Sequence, residues 1–339
     1  MLANCAVTLY LNDECKLRDG IGTGMCTLAD DCEEAHSALL QRKPHKLRRC
    51  GFDNFSEIVC CPLGVPSKHG IPRRAETECN EILKTSVPPL NSFIYGGEVA
   101  SAGEFPFVVA LGYNKGDGID YNCGGSIISK DFVLTAAHCI DTLEGIRPTV
   151  VRSGVINISD SNWNDETDVN IADYILHPNY TTNLQYNDLC LLRLSRPLQF
   201  SLNVHAVCLE TNHDDPKESL SITGWGQTNS QTLQKSNVLL KTNVTAVSLS
   251  ECSKTFNKNN FRKLPRGLSQ EMLCAGDPAG AHDACKGDSG GPILVPTIKS
   301  QYRLVGVTSF GKGCGSPDPG VYTRVSRYID WIEPIVWPN

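Results

Sequence analysis

From Ile94 onward the apolar residues fall in short runs broken by Gly, Pro and Asn: Phe107–Leu111, Phe132–Ala136, Ile171–Leu176, Leu189–Leu194, Leu239–Val244, Arg303–Phe310 and Val321–Val325. Runs of this length without intervening helical patterns predict strands, and many in succession predict an all-β barrel or sandwich. Near the C-terminus Val325, Ile329 and Ile332 stand at i, i+4 and i+7, so a short amphipathic helix is expected to close this domain. Upstream the pattern changes. Cys15 to Cys61 is cysteine-dense with few apolar runs, so it buries little core and needs covalent staples. Between the two, Pro62 to about Phe93 carries Pro66, Pro72, Pro88 and Pro89 among Ser, Lys and Glu, and a linker without regular structure is expected there. The expected domains are therefore 15–61, a linker over 62–93, and 94–339.

Composition narrows the class. The 339 residues suffice for one large and one smaller domain. A net charge of −6 argues against a nucleic-acid partner, and the lack of any run of 18 apolar residues argues against a membrane span. The 16 cysteines include no C-x-x-C, and no H-x-x-x-H pair accompanies them. Disulfides in an oxidising compartment are thus favoured over metal ligation, and a secreted protein is expected. Met1–Leu11 lacks Lys and Arg and is interrupted by Asn4 and Cys5, so segment 1–14 reads as a remnant leader or the interior of a longer chain. Asn54, Asn157, Asn179 and Asn243 each begin an N-x-Ser/Thr triplet and are candidate glycosylation sites.

The chemistry sits in Gly287-Asp288-Ser289-Gly290-Gly291-Pro292 and, far upstream, in Thr135-Ala136-Ala137-His138-Cys139. A serine flanked by small residues can present an exposed hydroxyl beside backbone N–H groups aimed at one point, which attack on a peptide carbonyl requires. Between the two segments, Asn187-Asp188-Leu189-Cys190-Leu191-Leu192 places an Asp at the head of an apolar strand. Taken together, in the order His, Asp, Ser, these segments resemble the chymotrypsin-fold serine proteases from Ile94 to the C-terminus. The resemblance implies two packed six-stranded antiparallel barrels with a C-terminal helix. It implies Ser289 as nucleophile, His138 as base, Asp188 as the partner that holds the imidazole tautomer, and the N–H groups of Gly287 and Ser289 as oxyanion donors. Asp283, six residues before Ser289, stands where trypsin-like members place the carboxylate that receives Arg or Lys. Ser309, Gly311 and Gly320 fall where the family lines that pocket. Phe310 replaces a more usual Trp, and Lys286 and Lys312 are candidate rim cations.

Ile94-Tyr95-Gly96-Gly97 resembles the family's new N-terminus, so cleavage after Phe93 would release an Ile94 ammonium to pair with Asp288. Phe93 is not a tryptic residue. The implied activator has chymotrypsin- or elastase-like specificity, and cutting at Arg73 or Arg74 would not free Ile94. The resemblance further implies pairs Cys123–Cys139, Cys252–Cys274, Cys285–Cys314 and Cys79–Cys208, the last tethering the N-terminal part after activation. Cys190 is expected to be a buried free thiol, and Cys5 has no assignable partner.

Cys15, Cys26, Cys32, Cys50, Cys60 and Cys61 resemble the clip domain of arthropod proteases, which implies Cys15–Cys60, Cys26–Cys50 and Cys32–Cys61. The basic run Arg42–Arg49 is either a solvated loop or a docking surface for a partner or polyanion. The family implies a zymogen in an extracellular cascade such as insect melanisation or Toll activation. Its expected partners are an upstream protease, a downstream protease zymogen and serpin inhibitors. A non-catalytic clip-domain homologue and a digestive protease are the alternatives. No cofactor or metal is expected: Val155 follows Ser153-Gly154 where calcium-stabilised trypsins carry Glu, although Asp160, Asp165 and Glu166 lie nearby.

Overall fold

The computed structural model describes residues 13–18, 23–29, 32, 35, 38, 43–53, 56–62, 73–86, 98–116, 118–142, 145–159, 164–227, 234–256, 261–277, 279, 285–297, 301–313 and 316–338. Its contacts divide the chain into two compact units, Met1–Pro72 and Arg73–Asn339.

In the first unit, strands β1 (Glu14–Lys16), β2 (Thr23–Leu28), β3 (Arg49–Asp53) and β4 (Ser56–Pro62) form an antiparallel sheet in the order β1-β2-β4-β3. Its core is largely sulfur: Cys15, Cys26, Cys32 and Cys60 are buried with Ala29, Ala35, Ile58 and Val59. Cys60 and Cys61 are successive strand residues and point to opposite faces. One therefore reaches Cys15 and the other Cys32, and Cys26–Cys50 completes the set. In so small a core each bridge stabilises by about 2–4 kcal/mol. Lys43, Lys46, Arg48 and Arg49 of the basic run are exposed, and Asn54 lies outside the described residues.

The second unit begins with a helix where none was expected. Helix α1 (Arg74–Thr85) occupies the middle of the proline-bearing segment. The prolines at 72 and 88 flank this helix without entering it, so they bound it and do not break it. Ala75, Cys79 and Ile82, at i, i+4 and i+7, face inward, and Cys79 is bonded to Cys208. Glu333 Oε1 accepts from Ala75 N at 2.9 Å, Arg303 and Glu76 form a two-pronged pair with both distances 2.9 Å, and Arg73 meets Asp330 at 2.8 Å. Helix α1 thus belongs with the large unit.

Strands β6 (Val108–Asn114), β7 (Ile119–Ile127), β8 (Phe132–Thr135), β9 (Val150–Ser153), β10 (Asp168–Leu176) and β11 (Cys190–Leu194) close into a barrel in the order β10-β11-β8-β7-β6-β9. Val109, Leu111, Ile127, Leu134, Val151 and Leu191 are fully buried within it. A second ring follows from β13 (Leu220–Gly224), β14 (Leu240–Val247), β15 (Met272–Gly276), β16 (Pro292–Pro296), β17 (Tyr302–Phe310) and β18 (Gly320–Arg324), closed by pairing of β17 with β18. Short β5 (Glu98–Val99) adds to β14, and β12 (Cys208–Leu209) adds in parallel to β17. Helix α2 (Leu249–Thr255) is capped by Ser248, whose side chain accepts from Glu251 N. A 3-10 turn, Val325–Tyr328, leads into helix α3 (Ile329–Val336), with Val325, Ile329 and Ile332 buried on one face as their spacing requires.

Buried charges are paired. Arg152 donates to both carboxylate oxygens of Asp168 at 2.6 Å, and Lys241 meets Glu104 at 2.7 Å. In the adjoining acidic loop the Arg196 guanidinium takes the carbonyls of Asp165 and Asp168, while Asp160 lies outside the described residues. Cys123–Cys139 and Cys252–Cys274 are joined, Cys285 is disulfide-bonded, Cys190 is a buried free thiol, and Cys314 lies outside the described residues. Asn157 and Asn179 are exposed, whereas Asn243 sits half-buried on β14 and accepts from Ser221 Oγ. No described helix is long and apolar enough to cross a membrane.

Candidate active site

Two consecutive turns present Ser289. Asp288 N donates to Cys285 O at 2.9 Å around Gly287, whose φ is +105°; Gly291 N then donates to Asp288 O at 2.9 Å around Gly290, whose φ is +75°. Each turn demands a left-handed residue at its third position, which is why Gly stands there. Space imposes the same choice. A Cβ on Gly290 would collide with Thr135 Oγ1 and Gly124 O.

That crowding carries the site, because it brings the two barrels together. Gly124 of β7 donates its N–H to Ser289 O at 2.8 Å, and its own carbonyl accepts from Thr135 Oγ1 at 2.8 Å. Thr135 ends β8, and the 3-10 turn Ala137–Cys139 that follows carries His138. On the other side Gly290 N and Thr308 N exchange bonds with Thr308 O and Gly291 O, fixing the serine turn to β17. Ser289 and His138, 151 positions apart in the chain, are thereby held against one strand.

Asp188 lies two residues before β11 and is 1% exposed, beside a His138 side chain that is 34% exposed. Its Oδ1 accepts from His138 N at 2.9 Å and its Oδ2 faces His138 Nδ1 at 2.7 Å. Ser309 Oγ also donates to Oδ2, and Thr323 Oγ1 donates to Asp188 O at 3.2 Å. Burial disfavours the Asp188 anion, but the His138 charge and the hydrogen bonds from His138 and Ser309 outweigh it and hold the carboxyl below its ordinary value. Burial likewise disfavours imidazolium. The Asp188 carboxylate overrides burial and raises the His138 pKa, with Lys263 opposing weakly. The Nδ1–H is thus committed to Asp188, which leaves Nε2 to accept a proton.

A cleft of about 370 Å³ opens beside His138, lined by Asp141, Tyr180, Leu184, Lys263 and Ser309 among others. Gly311 is exposed and Gly320 buried, and a Cβ on Gly311 would meet Gly320 Cα at 3.9 Å, an ordinary contact distance. Lys286 is exposed, and Lys312 lies 3.8 Å from Asp318. Asp288 turns inward, accepting from Gly226 N at 2.8 Å and Cys285 N at 2.9 Å. Burial raises its pKa against those two donors. Phe93, Ile94 and Asp283 lie outside the described residues. Sulfurs of Cys123 and Cys139 lie near the His138 ring but are joined to each other, so neither is a thiolate ligand.

Ser309, expected in the substrate pocket, lines this cleft, and its hydroxyl is committed to Asp188. Thr323, inside the apolar run Val321–Val325, and Lys263 carry no sequence signal of a site role, each being a lone polar residue.

The trypsin family matches residues 94–332, and the chain belongs to that family. Within it the chain is one of the clip-domain serine proteases. CLIP domain-containing serine protease HP8 of Bombyx mori is 32% identical over 348 residues, covering 92% of this chain and 91% of that one. Phenoloxidase-activating factor 1 of Holotrichia diomphalia is 29% identical over 350 residues, with 92% and 91% covered. Serine protease Hayan of Drosophila melanogaster is 36% identical over 282 residues; the match covers 81% of this chain but only 44% of that protein.

Proposed function

We propose that the protein is a secreted clip-domain serine endopeptidase zymogen that, once cleaved after Phe93, hydrolyses peptide bonds following Arg or Lys. The observation that carries this reading is the Asp188 carboxylate, bonded to both the backbone and the ring of His138 beside the Ser289 turn. In the proposed reaction Ser289 Oγ attacks the scissile carbonyl carbon while His138 Nε2 takes its proton. The N–H groups of Gly287 and Ser289 receive the oxyanion. Collapse expels the amine, which leaves with the proton from His138, and water repeats the sequence on the acyl-enzyme. Asp283 would supply the charge that selects Arg or Lys. The fresh Ile94 ammonium would pair with Asp288 and so order the pocket.

A role in an arthropod extracellular cascade, such as melanisation or Toll activation, follows the names of the relatives, phenoloxidase-activating factor 1 among them. The substrate would then be a further protease zymogen, the activator a chymotrypsin- or elastase-like protease, and the inhibitors serpins. An adaptor without catalysis is disfavoured because Ser289, His138 and Asp188 all stand. A digestive role leaves the clip unit and the Cys79–Cys208 tether without purpose.

The test is Phe93→Arg, processed with trypsin and assayed on an Arg-amide and with an organophosphonate. Turnover and labelling appearing only after release of Ile94 are expected. Correctly processed protein that does neither is not a protease. A pH profile adds an independent check. Because the base must be neutral and its pKa is raised, kcat/KM is expected to climb through a limb above the ordinary histidine value of about 6.5. A flat profile between about pH 5 and 9, or a limb below that value, would count against His138.

A further inference from the structure

Among the described residues Asn187 is the one non-glycine with positive φ, at 55°. Asparagine tolerates this region better than most residues, yet such a conformation persists only where its surroundings impose it. The surroundings are visible. Asn187 Nδ2 donates to Asn179 O at 3.0 Å, and Tyr328 Oη donates to Asn187 Oδ1 at 3.1 Å. Leu189 N then donates to Asn187 O at 2.8 Å, closing a three-residue turn centred on Asp188. Tyr328 is 4% exposed, ends the 3-10 turn before α3, and packs edge-on against His177 at 5.1 Å. Burial, with Glu271 and Asp188 nearby, raises its phenol pKa, so it stays a donor.

Asp188 is therefore held from two sides. In front, its carboxylate meets His138 and Ser309. Behind, its backbone turn is tied through Asn187 to Asn179 and to Tyr328, at the rim of a polar cavity of about 420 Å³. A carboxylate that must reach both N and Nδ1 of one histidine tolerates little movement of its own backbone, and misplacements of an ångström reduce turnover steeply.

We propose that Asn187 and Tyr328 are positioning residues that lock the turn at Asp188, so that the C-terminal segment sets the orientation of the His138–Asp188 pair. This rests on the hydrolytic reading above for its kinetic consequence, but not for its structural one.

The test uses full-length Phe93→Arg protein processed with trypsin, compared with the same protein also carrying Tyr328→Phe or Asn187→Gly. Phenylalanine keeps the ring and removes one bond; glycine keeps the positive φ and removes both. On an Arg-amide, kcat is expected to fall about 3–10-fold for Tyr328→Phe and about 10–100-fold for Asn187→Gly, with KM unchanged. The second readout is the titration of the His138 Nδ1–H followed by proton NMR, which needs no substrate. A loosened Asp188 is expected to lower the His138 pKa in both variants. The neighbouring titratable groups Lys263, Asp141, Tyr180 and Cys190 are untouched.

A residue that merely stabilises the fold would lower the melting temperature and leave kcat and the titration in place; that result in both variants overturns the proposal. If processed parent protein does not hydrolyse the amide, the titration alone decides. A shift then supports the positioning role while the hydrolytic reading fails, and no shift overturns the positioning role as well.

Discussion

Replacing Ser289 by Ala is expected to remove about 10⁵–10⁶ of the turnover number of the processed enzyme and all of its organophosphonate labelling. The size follows from the division of labour in the site. A serine hydroxyl is a weak nucleophile, and in the proposed mechanism His138, oriented by Asp188, has no proton to take in the first step once that hydroxyl is gone. Ser289→Ala together with His138→Ala is accordingly expected to be scarcely worse than either alone, since the pair works as one unit. The substitution adds no atom and removes one hydroxyl. The bonds that anchor the turn, Gly124 N to Ser289 O and Gly291 N to Asp288 O, are backbone bonds that alanine retains. Melting temperature should therefore move little, separating loss of chemistry from loss of fold. Residual turnover above about 1% of parent in a correctly processed sample would remove Ser289 from the mechanism.

Much of this arrangement was legible because the barrels are written in short apolar runs and the site in tight glycine turns. The misses have physical causes. Strand β10 begins at Asp168, three residues before its apolar run, because a buried Asp paired with Arg152 looks like a turn residue until its partner is known. The helix at Arg74–Thr85 is masked in sequence by flanking prolines, which act as breakers only beyond its ends, while Ala75, Cys79 and Ile82 share one face. The bond of Ser309 to Asp188 and the place of Tyr328 escaped for a different reason. The two residues meet Asp188 and Asn187 across separations of 121 and 141 residues, and no local pattern records which hydroxyl a folded chain will spend on a carboxylate.

Asp288 carries the second large effect. Its carboxylate lies on glycine: a Cβ at Gly224 or Gly226 would strike it, and the N–H groups of Gly226 and Cys285 supply its hydrogen bonds. Two neutral donors do not offset the desolvation of a carboxylate, so its pKa is raised, and among the described residues no cation pairs with it. Under the proposed activation an arriving Ile94 ammonium would supply the missing charge, and leaving a buried ion pair half-made costs about 3–5 kcal/mol. Spent on a two-state equilibrium between a slack and an ordered serine turn, that is about 10²–10⁴ in the competent population. Asp288→Asn keeps the shape and removes the charge. In Phe93→Arg protein processed with trypsin, with Ile94 verified as the new N-terminus, kcat/KM on an Arg-amide is expected to fall by that factor. In the parent, activity should also decline as the ammonium loses its proton, above its unpaired value of about 8 because the carboxylate favours the charged form. An Asp288→Asn enzyme as active as its parent would mean that the serine turn is already ordered without the ion pair, and that cleavage after Phe93 does something other than deliver a charge.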